Sequence, residues 1–437
     1  MLAFTFAVSL ATGLLFGLVP ALQSTRPALA VTLKDQAGAV AGGSSVLLRK
    51  GLVVAQVALS LLLLIGAGLF LQSLKNLQGL DPGFRVGGLL TFQIDPTING
   101  YSRERSLDFY RRLSERAAAI PGVSSAALAV MPVLGDGTWD SGVTVEGYGS
   151  KPAELTDPHM QFASPGFFTT LGIPILAGRD FTVQDDKSAA KVAIVNEKFA
   201  RRYLAGANPI GRRVGMGVGR GVKADIEIVG VVKDTKYENM RAEEPFELYR
   251  PYLQVDFVTG MNLYARTHGD PAALFPAMRQ AVREVDAGVP IFGMRTLEQQ
   301  VDRSLVTERL LATLSSVFGL LATLLAAIGL YGVMAYMVAR RTREIGIRMA
   351  LGATGGSVRW LVLREVMLLA AVGLGIGLPA AWALTRLVEA QLFGIHAIDA
   401  VIMAIGVAGI AGVSLIAGYF PARRATAIDP MRALRWE

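Results

Sequence analysis

The residues whose types and spacing could do chemistry lie in the segment Arg340-Arg341-Thr342-Arg343-Glu344-Ile345-Gly346-Ile347-Arg348-Met349-Ala350-Leu351-Gly352-Ala353, between two long uncharged stretches. Its four arginines and one glutamate cannot lie in hydrocarbon, because a charge at the bilayer centre costs at least ~2.5 kcal/mol, so the segment is expected at a membrane face. Excess basic charge makes that face cytoplasmic. The chemistry is non-covalent. Written as a helix, Ile345, Met349 and Gly352 share one face at spacings of four and three, with Ile347, Ala350 and Leu351 beside them. That pattern gives a short amphipathic helix able to dock into a partner's groove. A loop that only fixed topology would account for the arginines and leave the apolar face unexplained.

Other chemistries find little support. His159, His268 and His396 are far apart and none has a metal-ligand neighbour at helical spacing, so surface or loop roles are expected. The absence of cysteine removes thiol chemistry and disulfides. Asp185-Asp186 and Glu243-Glu244 read as solvated turns. The glycine-rich stretch 211–221, with Arg212, Arg213 and Arg220, lacks the order strand, glycine loop, helix of a phosphate site and leads into a strand at Ile226, so it reads as a mobile hairpin. No G-x-x-x-x-G-K-[ST] occurs, so no cofactor is expected on this chain, and any ATP that drives it is expected on a separate subunit.

The elements that hold the basic segment follow from composition. Hydrophobic residues make up 52% of 437 and charged residues 18%, with mean hydropathy +0.43, whereas soluble domains are about 25% charged. Uncharged runs at 1–25, 51–74, 310–339, 366–385 and 400–422 each reach the ~20 residues of a spanning helix, which predicts five spans. Arg26, Lys34, Arg49 and Lys50 follow the first run, the Arg340–Arg348 group follows the third, and Arg423, Arg424, Arg432 and Arg435 follow the fifth. Five alternating spans put all three groups on one side. The C-terminus is then cytoplasmic, and the section 75–305 lies outside. Residues 74–305 carry 27 basic and 27 acidic side chains, so the net charge of +8 belongs to the membrane parts and not to a soluble nucleic-acid surface. No span carries a central acid or base, which argues against a proton-coupled carrier. Gln56 is expected to make an interhelical hydrogen bond. Gly13 with Gly17, Gly66 with Gly68, and Gly373, Gly375 and Gly377 allow close helix approach, within one chain or at a dimer seam.

In the section 75–305, strand 89–94, helix 103–119 and strand 123–130 form one βαβ pattern, and strand 261–267, helix 271–285 and strand 289–294 form another. Two such units at opposite ends of a domain predict a split ferredoxin-like layer with a β-rich second lobe inserted between them, containing strand 192–195, helix 196–204 and strand 226–232.

The run from Arg343 to Ala353 has the form R-E-I-G-I-R-x-A-L-G-A and resembles the coupling helix of the FtsX/MacB-type ABC permease family. Phe162-Ala163-Ser164-Pro165-Gly166-Phe167-Phe168-Thr169-Thr170-Leu171-Gly172-Ile173-Pro174, Gly178-Arg179-Asp180-Phe181 and Val195-Asn196-Glu197 through Ala200-Arg201-Arg202-Tyr203 resemble that family's periplasmic core domain. The resemblance implies an α+β membrane protein of the bacterial inner membrane, in which a ferredoxin-like porter lobe and a β-rich sabre lobe move against each other. It implies a cytoplasmic ABC ATPase partner docked on Arg343, Glu344, Ile345, Gly346, Ile347, Arg348, Met349, Leu351 and Gly352, with Ile345, Met349 and Leu351 giving apolar contact and the arginines orientation. A homo- or pseudo-dimer of permease units and a periplasmic partner also fit the family, whose roles include efflux, lipoprotein release and control of cell-wall hydrolases. A second reading is an ATPase-independent membrane scaffold or sensor whose periplasmic domain binds a ligand or partner. Val8-Ser9-Leu10-Ala11-Thr12-Gly13, Pro20-Ala21 and Arg26-Pro27-Ala28-Leu29 parallel Val413-Ser414-Leu415-Ile416-Ala417-Gly418, Pro421-Ala422 and Asp429-Pro430-Met431-Arg432. On that parallel, residues 1–25 resemble the last span of a preceding permease unit and the chain begins partway through a duplicated protein. The expected order is then linker 26–50, span 51–74, core domain 75–305 and a permease domain with three spans at 306–437.

Overall fold

The computed structural model describes residues 5, 6, 9, 10, 13, 43–135, 137–148, 157–204, 208–219, 221–257, 259–395 and 399–426. Most of the expected first span and linker, the first half of the internal repeat and the end of its second half lie outside the described residues. The elements in chain order are α1 (Gly43–Gln78), β1 (Leu89–Ile94), α2 (Arg103–Ala118), β2 (Val123–Ala129), β3 (Val143–Val145), β4 (His159–Ala163), α3 (Phe167–Leu171), β5 (Ile175–Gly178), β6 (Val192–Asn196) and α4 (Glu197–Tyr203). They continue with β7 (Arg213–Met216), β8 (Ile226–Val232), β9 (Glu247–Pro251), β10 (Met261–Thr267), α5 (Phe275–Asp286), β11 (Ile291–Thr296) and α6 (Leu297–Ser304). The last four are α7 (Val306–Arg340), α8 (Thr342–Ala350), α9 (Gly355–Val388) and α10 (Ala400–Ala425). Two compact units result, one of long helices and one built on Leu69–Ser315 with Val388–His396.

In the second unit, β1 and β11, β1 and β10, and β10 and β2 pair antiparallel, giving the neighbour order β11-β1-β10-β2. That is the split ferredoxin-like layer expected from the two βαβ patterns. Period-2 alternation builds it: Leu90, Phe92 and Ile94 of β1 and Leu263 and Ala265 of β10 enter one core together with Phe109, Tyr110 and Leu113 of α2 and Met278 and Val282 of α5. Helix α2 starts where Ser102 Oγ accepts from Arg105 N and keeps its charges outward, Arg111 bridging Asp108 and Glu115. The end of α1 belongs to the same unit. Leu77 is fully buried in the core on the other sheet face, Asn76 Nδ2 donates to Gly394 O at 3.1 Å, and Ser73 Oγ accepts from Phe393 N at 2.9 Å.

The inserted lobe extends this sheet. Strand β2 pairs with β4 through Ala129↔Ala163, and the order runs on as β4-β9-β6-β8-β7-β3, with β5 on β8. The junction forms because Val130 N donates to Phe162 O and Ser164 N to Leu128 O, at 2.9 and 2.8 Å, groups that burial would otherwise leave unpaired. The glycine-rich stretch is the expected hairpin, β7 pairing with β8 at Arg213↔Glu227 and Val214↔Ile226. Asp185 departs from expectation. It is no solvated turn residue but is buried, accepting from Arg179 Nη1 and Nη2 at 2.7 and 2.8 Å and from Thr182 N at 2.7 Å. The Arg179 guanidinium holds its carboxyl below the usual carboxylate range.

Among the described residues four helices are long and apolar enough to cross a membrane, at 47–78, 306–340, 355–388 and 400–425. These are the second to fifth of the five expected spans. In the helical unit Gly373 lies against Val57 and Gly377 against Ala58, so these glycines serve packing within the chain, while a side chain at Gly375 would meet open space. The interhelical hydrogen bond expected at Gln56 is made one turn later. Ser60 Oγ donates to Ala322 O at 2.8 Å, and the Gln56 carboxamide rests on Gly329.

Candidate functional site

The basic segment folds as expected into a separate short helix, α8, after α7 ends at Arg340. Thr342 Oγ1 donates to Ala339 O at 2.8 Å and fixes the corner. Glu344 stands in the first turn and Arg348 in the last, which suits the helix dipole, and the two pair at 2.7 Å across one turn. The end of α8 is a Schellman motif. Gly352 N donates to Met349 O at 3.0 Å, Ala353 N donates to Arg348 O at 2.9 Å, and Gly352 has φ of 94°.

The structure divides the expected docking residues between two faces of α8. Ile345 is 2% exposed and packs with Val338, Met349, Val358 and Ala425, so Ile345 and Met349 anchor α8 to its own helical unit. Gly346 is buried as well. Gly352 is a helix stop that needs a left-handed backbone, and it is exposed. The outward face holds Glu344, Ile347, Arg348 and Leu351, in which 344 and 348 and likewise 347 and 351 are four apart, with Ile347 43% and Leu351 83% exposed. Arg343 lies in the first turn. Apolar residues occur on both faces, and only the groove formed by Val338, Val358 and Ala425 decides which face turns inward.

The sequence reading missed the ties that hold this corner. Glu365 of α9 accepts a hydrogen bond from Lys50 of α1 and lies 3.5 Å from Arg341 Nη1, so it is partnered by two basic side chains. Arg424 of α10 donates to Tyr331 Oη at 2.9 Å, and Arg49 sits 4.4 Å over the Tyr336 ring. One signal was available: Lys50 and Glu365 are opposite charges at the edges of two apolar runs. Of the histidines, His159 lies 3.5 Å from Asp140, His268 is exposed and His396 falls outside the described residues. No group of three or more metal-ligating side chains occurs among the described residues.

The family model of the MacB-like periplasmic core domain matches residues 46–285, more than half of the chain, and that of the FtsX-like permease C-terminal region matches residues 316–430. The chain belongs to the FtsX/MacB-type ABC permease family. Within the family it is similar to the macrolide export ATP-binding/permease protein MacB of Marinobacter nauticus, 27% identical over 276 residues, 60% of this chain and 41% of that protein. It is also similar to the uncharacterized ABC transporter permease YknZ of Bacillus subtilis, 25% identical over 65% of this chain and 71% of that one. The chain spans about two fifths of the length of the ATP-binding/permease relatives. Of solved structures, the periplasmic region of MacB from Actinobacillus actinomycetemcomitans aligns over 52% of this chain and 95% of that one, with TM-score 0.35 and 13% identity. The permease family places the core domain at the periplasmic face of an inner membrane and assigns α8 to the FtsX-like region.

Proposed function

We propose that this chain is the membrane subunit of an ABC system and carries conformational change from a cytoplasmic ATPase to its periplasmic core domain. The outward stripe Glu344, Ile347, Arg348 and Leu351 is the observation that carries the reading. A helix that served topology alone has no reason to present two large apolar side chains beside a charge pair while a second apolar face is already anchored. The inner face binds α8 to its helical unit, so force applied to the outer stripe is delivered to α7 and α9. ATP binds the partner in this reading. Several relatives are named as export proteins, and export of a cargo at the periplasmic side is the corresponding proposal here.

The test separates the two faces. Ile347→Asp with Leu351→Asp is expected to lower recovery of a co-purified cytoplasmic ATPase by at least about thirtyfold, because loss of an interface anchor costs ~2 kcal/mol or more. Membrane insertion is expected to be unchanged, since Arg340 and Arg341 remain. If the unmodified chain recovers no ATPase and the double variant behaves like it in cells, the chain is a scaffold or sensor and not a transporter component.

Orientation is tested separately. The sequence has no cysteine, so single cysteines report cleanly. Ser188 and Ser357 are both exposed and only α7 of the spans lies between them in sequence. Ser188→Cys is expected to react with an impermeant maleimide in intact spheroplasts, and Ser357→Cys only after permeabilisation. Equal labelling of both before permeabilisation contradicts the orientation.

A further inference from the structure

The ferredoxin-like layer ends in an edge. Strand β11 is the last in the order β11-β1-β10-β2, so alternate backbone N–H and C=O groups point away from β1 and meet no strand among the described residues. Its one closing device comes late in the strand. The register with β1 shifts between Phe292 and Arg295, where Gly293 has φ of 60° and its carbonyl accepts from Arg295 Nε at 2.7 Å. Ile291 and Phe292, before that bulge, keep an open side.

Along this edge, between β11 and α5, runs a groove of about 360 Å³ whose lining residues all belong to the core unit. Its floor is apolar, Val282 of α5 with Val289, Ile291 and Met294, and its rim carries Arg279 and Arg283, one helical turn apart. Both arginines are exposed and make no hydrogen bond or ion pair with described residues. The acids of α5 are engaged elsewhere, Glu284 with Arg116 of α2 at 3.4 Å and Asp286 with Tyr101. Among the described residues no carboxylate lines the groove.

We propose that this groove takes an extended acidic segment of a second protein, which adds a strand to β11 and sets two carboxylates on Arg279 and Arg283. Spacing selects the form of the segment. Side chains at i and i+4 of a helix start about 6 Å apart, and side chains at i and i+2 of a strand share a face ~6.6 Å apart, so acids at alternate positions meet both guanidiniums. The residue between them turns to the other face. An acidic helix could match the same spacing but would leave the β11 edge unpaired. Charges that guard an edge against pairing are carried by the edge strand, whereas these two stand across an apolar floor. The inference concerns the core domain alone and does not rest on an ATPase partner.

The experiment uses the full chain in phosphatidylcholine nanodiscs, with a fluorescein-labelled Glu-Val-Glu-Val-Glu peptide followed by anisotropy. Saturable binding is expected below about 1 mM, and about fivefold weaker binding of Gln-Val-Gln-Val-Gln, as two exposed ion pairs imply. Arg279→Gln combined with Arg283→Gln is expected to erase that preference, and because both side chains are exposed the exchange leaves the core intact. Strand addition is read from the peptide side. N-methylation of one alternate set of its amides is expected to weaken binding at least about tenfold, and of the other set to leave it within about twofold, since only one set faces β11. Absence of saturation, equal binding of the acidic and amide peptides, or a preference that survives the double exchange overturns the proposal. Equal tolerance of both methylation patterns also overturns it and assigns the groove to a partner that is not a strand.

Discussion

Replacing Glu247 by glutamine makes the core domain more stable at pH 8 by roughly 3 kcal/mol and flattens its pH dependence. The carboxyl of Glu247 is 1% exposed, held by Thr235 Oγ1 at 3.0 Å, and burial pushes it up from 4.5 to about 8. The folded domain therefore keeps a proton on this group between pH 4.5 and 8, where the unfolded chain has released it. Stability is fully present below pH 4.5, falls as pH rises through that window, and levels off above 8. A shift of this size gives an upper limit of about 5 kcal/mol at ~1.4 kcal/mol per unit, and relaxation or water entry reduces it. Glutamine keeps the shape, accepts from Thr235 and carries no charge. Thermal scans of the full chain at pH 5 and 8 are expected to show a core transition that drops between the two in the natural chain and stays level in Glu247→Gln. A parallel drop in both proteins assigns the pH dependence to other groups.

Gly178→Val is expected to destabilise the core domain by about 4 kcal/mol. Gly178 has φ of 78°, a conformation that costs a β-branched residue about 1–3 kcal/mol. It also pairs with Gly230, and its Cβ would overlap Val229 O and lie 2.9 Å from the Gly230 Cα. Backbone cannot turn aside as a side chain can. The strand must part from β8, which also strains the bond from Arg179 N to Val229 O and the Arg179–Asp185 pair beyond it. Urea titration followed by tryptophan fluorescence is the measurement. A midpoint unchanged from the natural chain would mean that β5 adds nothing to the stability of the sheet.

Much of the fold was legible because its signals are local. Hydropathy located the four spans, and the spacing of apolar residues in 89–130 and 261–294 produced the ferredoxin-like layer. Helix lengths were underestimated for a physical reason: α9 starts at Gly355, before Arg359, Arg364 and Glu365, because a charge ends an uncharged run without ending a helix. Buried polar residues were illegible. Asp185 and Glu247 look like surface acids until Arg179 and Thr235 are placed beside them, and nothing in a linear pattern does that. The short basic helix was visible and its outer face was not, since Ile345 and Ile347 are the same residue type two positions apart.

That sheet order has a mechanical side. Between β10 and β2 six residue pairs share any load, and between β4 and β9 five, but between β2 and β4 there is one, Ala129↔Ala163. The remaining connections at this seam include side-chain clasps, Gln161 to both polar atoms of the Met131 backbone and Ser164 Oγ to Leu128 N, each at 2.9 Å. Side chains swing on rotatable bonds and follow a change of angle that a backbone ladder resists. The continuous sheet therefore has a compliant seam, and a torque across it bends the domain between β2 and β4 before it shears the β10–β2 or β4–β9 ladder.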